Sequence, residues 1–100
     1  MAKIKDKTLS FPASGSPDVA GYKLYYETSP DAVTYNSPNV ALSSNSVVLN
    51  SIPEFAGFDG VFNIGVSAVD DGGNESDMSL LNDVPLDFAA PEPPGALSVT

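Results

Sequence analysis

Proline and glycine recur along this sequence at spacings too short for long helices. Nine prolines and eight glycines divide the 100 residues into short segments, because proline cannot continue a helix and glycine weakens one. Within several segments apolar and polar residues alternate, which is the pattern of a strand that buries one face. Short alternating strands separated by turn residues favour an all-β chain folded as an antiparallel β-sandwich.

The alternation is clearest in residues 21–28 and 61–69, where one face of each predicted strand is apolar or aromatic. Weaker patterns predict strands at residues 8–11, 39–42, 46–50 and 82–88, and a short β-like end at 96–100. Because Pro85 has no N–H for a ladder, the strand at 82–88 must lie at a sheet edge or break there. The side chains predicted to face the core are Leu9, Phe11, Tyr22, Leu24, Tyr26, Val47, Leu49, Ile52, Phe62, Ile64, Val66, Ala68, Val84 and Leu86.

The residue types that are missing exclude several kinds of catalytic and metal-binding site. The chain has no cysteine, no histidine and no tryptophan, so it lacks thiolate ligands, the usual general base and the Ser-His-Asp triad. The acidic residues lie in predicted loops and not in a cleft that would raise the pKa of one carboxyl, as glycoside hydrolysis requires. We therefore predict that the protein is not an enzyme and has no catalytic residues and no cofactor.

The charge is strongly negative and unevenly distributed. The formal net charge is −9, yet three of the four lysines lie within residues 1–7. An acidic body repels phosphate backbones and anionic lipid headgroups, so we predict no nucleic-acid partner. No segment approaches the roughly 20 apolar residues of a membrane-spanning helix, and residues 1–7 lack the apolar region of a secretory signal. We therefore expect no membrane insertion and no signal peptide in this chain.

Four segments resemble one known family. Residues 21–26 (Gly-Tyr-Lys-Leu-Tyr-Tyr) look like strand C of a fibronectin type III domain, and residues 62–70 resemble its strand F. Residues 52–53 (Ile-Pro) are similar to the Leu-x-Pro of the family's E–F corner, and residues 73–76 (Gly-Asn-Glu-Ser) resemble the F–G turn of its bacterial members. The resemblance covers roughly residues 8–88 and implies an immunoglobulin-like, Greek-key sandwich.

The sequence departs from the family pattern at three points. Phe11 stands where the family has the tryptophan of strand B. Phe62 stands where the family has the tyrosine of the E–F corner, so the hydroxyl that normally bonds the backbone there is missing. We expect packing to hold this corner instead, with Phe55 and Phe58 folding back over it. Only about seven residues precede strand B, so the resemblance implies that strand A is short or missing.

Residues 89–100 form a proline-rich tail that follows the predicted domain, residues 1–88. Their sequence resembles the linker and strand A that open a following module of this family. Strands A and G of the family run in the same direction, so the tail must cross the whole sandwich to reach its own strand A position. Twelve residues span at most roughly 40 Å, which makes this completion marginal. We expect a monomer with a disordered tail; the alternative is head-to-tail association, in which the tail donates a strand to the next copy.

Acidic and amide side chains crowd one predicted turn. Asp70, Asp71, Asn74, Glu75 and Asp77 provide oxygen atoms of the kind that bind Ca²⁺. Their spacing does not match the EF-hand loop, in which glycine occupies the position that Glu75 holds here. An acidic hairpin turn is the preferred interpretation. A calcium site with Asp70, Asp71, Asn74 and Asp77 as ligands is kept as the weaker alternative.

Tyr25, Phe55, Phe58 and Val69 are candidates for an interaction surface. If these side chains face solvent, an aromatic patch beside polar loops is suited to binding a protein or the face of a sugar. The alternative is cross-strand packing on the exterior of a sheet, since Tyr25 and Val69 lie on strands that pair in the family fold.

The family resemblance and the missing chemistry lead to a non-catalytic function. We predict a structural, spacer or protein-interaction module that belongs to a larger bacterial surface, secreted or virion-associated protein. The alternative is an accessory module that binds a carbohydrate or protein ligand through its loops and exposed aromatic residues.

Overall fold

The structure, a computed structural model, describes residues 2–100; Met1, the first residue of the predicted domain, lies outside that range. The strands are β1 (Thr8–Ser10), β2 (Val19–Thr28), β3 (Asn39–Leu42), β4 (Ser46–Val48), β5 (Asp59–Asp70) and β6 (Ser79–Asp87). Two single-turn 3-10 helices, Leu49–Ser51 and Pro53–Phe55, connect β4 to β5. In residues 2–100 no helix is long and apolar enough to cross a membrane.

Every strand pairs antiparallel with its neighbours, which confirms the predicted all-β, antiparallel fold class. One sheet has the order β3-β2-β5-β6, and the other consists of β1 and β4. The central pair, β2 and β5, stays in register from Val19 opposite Asp70 to Thr28 opposite Phe62, with one irregularity near Gly21. Since side chains alternate along each strand, this pair presents an inner face towards β1 and β4 and an outer face away from them.

The core lies on the inner face, as the alternation predicts. Its buried side chains are Leu24, Leu42, Leu49, Ile52, Phe55, Phe62, Ile64, Leu86 and Phe88. The half-buried side chains that pack against it are Ile4, Leu9, Phe11, Tyr22, Tyr26, Val40, Val47, Phe58, Val66 and Val84. Ala68 is the one predicted core residue outside this cluster, and the sequence missed Leu42, Phe55 and Phe88. These three lie at strand ends or in a turn, where alternation gives little information.

Several predicted strand boundaries are corrected by the pairing. The strand predicted at 46–50 ends at Val48, because the chain enters a 3-10 turn at Leu49. The strand predicted at 82–88 begins earlier, because Ser79 already pairs with Val66. Pro85 lies in β6, which is an edge strand as predicted. A residue without a backbone N–H is tolerated there, because an edge strand pairs on one side only.

Aromatic side chains close the end of the core at the start of β5. The ring of Phe58 stacks on Phe62 with centroids 4.0 Å apart, and Phe55 lies 4.8 Å from Phe62. Tyr26 contacts Phe55 edge to face at 5.0 Å. The expectation that Phe55 and Phe58 fold back over this corner is confirmed. Packing of aromatic rings therefore holds this corner.

The tail, residues 89–100, projects from the packed body. All twelve of its residues are exposed, and none belongs to a strand, so the β-like end predicted at 96–100 pairs with nothing in the described chain. The molecule is 67 Å along its longest axis, and its radius of gyration is 17.1 Å. A compact domain of this length has a radius of gyration of about 13 Å. The difference reflects the extended tail.

Candidate functional site

The four residues predicted to form an interaction surface do not come together. Tyr25 is 2% exposed and Phe55 is 0% exposed, so the prediction that they face solvent is wrong for both. Phe55 packs into the inner face against Phe62, whereas Tyr25 lies on the outer face of β2 beneath Glu75. Phe58 is half-buried by its stacking on Phe62, and Val69 is half-buried on the outer face. The aromatic patch inferred from the sequence is therefore absent from this surface.

The outer face instead carries a polar cluster centred on Glu75. The Tyr25 hydroxyl donates to Oε1 of Glu75 at 2.5 Å, and the Ser67 hydroxyl donates to the same oxygen at 2.7 Å. The Lys23 ammonium lies 3.5 Å from Oε2 of Glu75. Tyr35 covers the cluster: its ring meets that of Tyr25 edge to face at 5.8 Å, and its hydroxyl donates to the backbone carbonyl of Ser76 at 2.8 Å. We call Lys23, Tyr25, Tyr35, Ser67 and Glu75 the Glu75 cluster.

Hydrogen bonds and burial shift the pKa values of two members of the cluster, Glu75 and Tyr25. The hydrogen bond from Tyr25, followed by that from Ser67, lowers the pKa of Glu75 below its usual value. Burial, followed by the hydrogen bond to Glu75, raises the pKa of Tyr25 to about 12. Both shifts move away from neutrality, so Glu75 stays ionised and Tyr25 stays neutral over the physiological range. This is the opposite of a general acid–base pair, in which one pKa is brought close to the working pH.

The turn between β5 and β6 uses its acidic and amide groups to hold its own backbone. The Asp70 carboxylate accepts hydrogen bonds from the backbone N–H groups of Gly72 at 2.9 Å and Asn74 at 2.8 Å. Its other oxygen accepts from the Asn74 side chain at 3.2 Å. Gly73 takes a φ of 84°, which glycine adopts without strain. The arrangement matches the acidic hairpin turn that the sequence favours.

The calcium alternative gains no support from this turn. The Asp70 carboxylate is occupied by backbone N–H groups, which lower its pKa, and the Glu75 carboxylate is turned towards the sheet. Asp71 and Asp77 are exposed. Across residues 2–100, no three acidic side chains come together in a group that could hold a metal ion.

A thin apolar layer covers the outer face beside the Glu75 cluster. A Cβ added at Gly65 would lie 2.9 Å from both Leu80 and Met78 and 3.3 Å from Val33. The loop after β2 and the start of β6 therefore lie directly on the backbone of β5 at this position. Glycine is the residue that permits this approach. Because Tyr25 pairs with Gly65, this layer lies beside Tyr25 and contributes to its burial although it faces away from the main core.

An open recess lies at the end of the outer face near Gly21. Its volume is 430 Å³, and it is lined by Ala20, Gly21, Tyr22, Lys23, Ala41, Leu42, Ser43 and Val69. Small side chains on β2 and β3 form its floor, and a Cβ at Gly21 would lie 3.0 Å from the Leu42 carbonyl oxygen. Ligand pockets commonly fall between about 300 and 1,000 Å³. We call this feature the Gly21 recess; of the residues predicted for a surface, it contains only Val69.

A second, polar recess lies between the loop after β1 and the turn after β5. It has a volume of 230 Å³ and is lined mainly by polar side chains, among them Ser14, Ser16, Asp18 and Asn74. Backbone contact between Asp71 N–H and the Asp18 carbonyl, at 3.2 Å, joins the two segments that form it. Hydroxyl, carboxylate and amide groups of this kind can hydrogen-bond a sugar.

Sequence reasoning missed the central role of Glu75. The alternation correctly places Lys23, Tyr25 and Ser67 on one face, but it gives no indication of which loop side chain returns to that face. The sequence contained one indication of such a partner. A buried tyrosine usually needs a hydrogen-bond partner for its hydroxyl, and Tyr25 lies at an outward position of its strand.

Comparison of the chain with protein-family models, with curated proteins and with solved structures gave no match. The interpretation of the outer face and its recesses therefore depends on their own geometry.

Proposed function

We propose that the chain is a fibronectin type III-like module with a non-catalytic, structural or spacer role in a larger bacterial surface, secreted or virion-associated protein. The strand order carries the proposal. In immunoglobulin-like sandwiches strands C, F and G are neighbours in one sheet, and strands B and E pair in the other. With β1, β2, β4, β5 and β6 taken as B, C, E, F and G, the pairs β2-β5-β6 and β1-β4 have this order.

Two side chains that depart from the family pattern support the same assignment of strands. Phe11 packs edge to face on Tyr22 at 5.0 Å, in the position where the resemblance expects a core aromatic residue. Phe62 is 4% exposed and lies within the aromatic corner. Both positions therefore keep an aromatic side chain, Phe62 in the core and Phe11 packed against it, which supports the packing of the sandwich.

The electrostatics favour a role without catalysis. The two clearest pKa shifts of the outer face keep a carboxylate charged and a phenol neutral. Among residues 2–100 every buried side-chain nitrogen or oxygen has a hydrogen-bond partner. Such groups stabilise a rigid module and offer no unsatisfied polar atom to a substrate.

A ligand-binding accessory module is the second candidate, and the Gly21 recess is the observation that favours it. The recess is large enough for a small ligand and exposes apolar surface beside the Lys23 ammonium. In this alternative a carbohydrate or a protein side chain occupies the recess, and the neighbouring polar recess supplies hydrogen bonds.

Binding to glycan and protein arrays distinguishes the two candidates. The spacer role predicts no signal above background with the module at about 100 µM. The binding role predicts a signal that Ala41→Glu abolishes, because Ala41 lines the Gly21 recess. Ala13→Glu is the matched control, since Ala13 is exposed and lies outside the lining of either recess. A signal that is lost in Ala41→Glu and kept in Ala13→Glu would overturn the spacer proposal.

A further inference from the structure

The edge of the smaller sheet that is formed by β1 is open. The Leu49 N–H donates to the Lys7 carbonyl at 2.8 Å, and the Phe11 N–H donates to the Asn45 carbonyl at 3.0 Å. Since backbone groups of successive residues point to opposite edges of a strand, those of Thr8 and Ser10 point away from β4. Within the described chain β4 is the only strand paired with β1. These backbone groups are therefore available to another strand.

The start of β6 leaves its inner face uncovered beside this open edge. Leu81 pairs with Ile64, so its side chain points to the inner face, yet it is 54% exposed. A groove of 320 Å³ lies between the end of β1 and the start of β6, with Phe11, Val66 and Ser79 in its lining. We call this groove, together with the open edge of β1 and the side chain of Leu81, the acceptor groove. A strand added to β1 would cover it.

The tail has the pattern that such a groove accepts. Leu97 is 93% exposed and Val99 is 100% exposed. They are separated by Ser98, so an extended tail presents both on one face. Gly95 to Thr100 carry no charged side chain, and Glu92 is the only charged residue after Asp87. This segment can therefore approach an acidic protein with little repulsion, and Lys3, Lys5 and Lys7 lead directly into β1 on the acceptor side.

The tail is directed away from the groove of its own chain. Asp87 pairs with Asp59, and the Phe88 N–H donates to the Phe58 carbonyl, so the tail leaves the body beside the aromatic corner. Pro91, Pro93 and Pro94 then favour an extended conformation that does not fold back. The 67 Å long axis of the molecule reflects this direction.

We propose that residues 96–100 of one copy add as a strand to β1 of a second copy, with Leu97 and Val99 in the acceptor groove. The contact joins two different surfaces, so it is head-to-tail and forms open chains of copies. One short strand buries less surface than a standard interface, so the association is weak and depends on concentration.

Sedimentation velocity from about 10 µM to about 1 mM tests the proposal. The protein is expected to sediment as a 10.3 kDa monomer at the low end and as species of increasing mass at the high end. Leu97→Asp is expected to abolish the increase. Ser98→Asp, which adds the same charge to the opposite face of the tail, is expected to retain it. A wild-type mass of 10.3 kDa at every concentration, or equal behaviour of the two variants, would overturn the proposal.

Mixing two blocked variants tests the head-to-tail geometry. Ser10→Pro removes an outward N–H and blocks the acceptor, while Leu97→Asp blocks the donor. Each variant alone is expected to stay monomeric, and their mixture is expected to form a dimer of twice 10.3 kDa that grows no further. If circular dichroism shows that Ser10→Pro does not fold, Leu81→Glu at the exposed rim of the groove replaces it. Absence of the mixed dimer would contradict a head-to-tail contact.

Discussion

The inner and outer faces of the β2–β5 pair are built from the same two strands but are stabilised differently. On the inner face Leu24, Phe62 and Ile64 pack into a continuous apolar core. On the outer face Tyr25 and Ser67 are equally buried, but they surround the carboxylate of Glu75, which lies in the turn that follows β5. Apolar burial is non-directional and tolerates small shifts, whereas a hydrogen-bonded carboxylate requires defined positions of its partners. We therefore expect the inner face to provide most of the stability and the outer face to fix the turn between β5 and β6.

Removal of Phe62 should give the largest effect on the inner face. Phe62→Ala deletes the ring that Tyr26, Phe55 and Phe58 all contact, and such core truncations cost about 3–5 kcal/mol in the free energy of unfolding. Urea unfolding monitored by far-UV circular dichroism measures the loss. Val61→Ala is the control, because Val61 is 40% exposed and should change stability by less than about 1 kcal/mol. Equal effects of the two substitutions would contradict a core centred on Phe62.

Removal of Glu75 should give the largest effect on the outer face. Glu75→Ala leaves the buried hydroxyls of Tyr25 and Ser67 without their acceptor, which is expected to cost about 1–3 kcal/mol in the free energy of unfolding. In the double variant with Tyr25→Phe one of these hydroxyls is absent, so the combined loss should be smaller than the sum of the single losses. Additive losses measured by urea unfolding would mean that the two side chains are not coupled.

Stability should depend on pH at both ends of the range. The pKa of Glu75 is lowered on folding, so its contribution is present above the unfolded pKa of 4.5 and is lost as the pH falls through the folded value. The pKa of Tyr25 is raised from 10.0 to about 12, so its contribution is present below pH 10 and is lost as the pH rises towards 12. The free energy of unfolding in urea, measured from pH 3 to pH 11, tests both the acidic and the alkaline decrease in stability. A Tyr25→Phe variant that keeps the full alkaline decrease would contradict the assignment to Tyr25.

Removal of Lys23 should give the smallest effect. The Lys23 ammonium lies 3.5 Å from Glu75 and its side chain is 38% exposed, so water and salt screen the pair. Exposed ion pairs contribute less than about 1 kcal/mol, and we expect Lys23→Ala to lower the free energy of unfolding by no more than that. Thermal unfolding at low and high salt measures the difference. A loss comparable to that of Glu75→Ala would mean that the ion pair, and not the hydrogen bonds, provides most of the stability of the cluster.

The two faces also mark how far the sequence could predict the structure. Alternation places Leu24, Phe62 and Ile64 correctly, because a period of two follows directly from strand geometry. It also places Tyr25 on the opposite face, but burial of that face depends on loops, and the pattern carries no information about where a loop lies. The interaction-surface prediction for Phe55 is wrong for a related reason: Phe55 lies in a 3-10 turn, where alternation does not apply.

The acceptor side of the molecule shows the same limit. Within the described residues β4 is the only strand that pairs with β1. The exposure of Leu81 could not be predicted, because its register depends on an irregularity in the β5–β6 pairing between Phe62 and Ile64. Local shifts of this kind are set by tertiary contacts and not by strand propensity.

The central claim is that an ionised Glu75, bonded to Tyr25 and Ser67, holds the outer face, and its titration tests this most directly. NMR of the Glu75 side-chain carboxyl carbon gives the pKa in the folded protein. We predict a midpoint below 4.5, because the hydrogen bond from Tyr25 is the largest of the influences that lower it. In Tyr25→Phe the midpoint should rise. A midpoint at or above 4.5 in the wild type, or one that Tyr25→Phe leaves unchanged, would contradict the account.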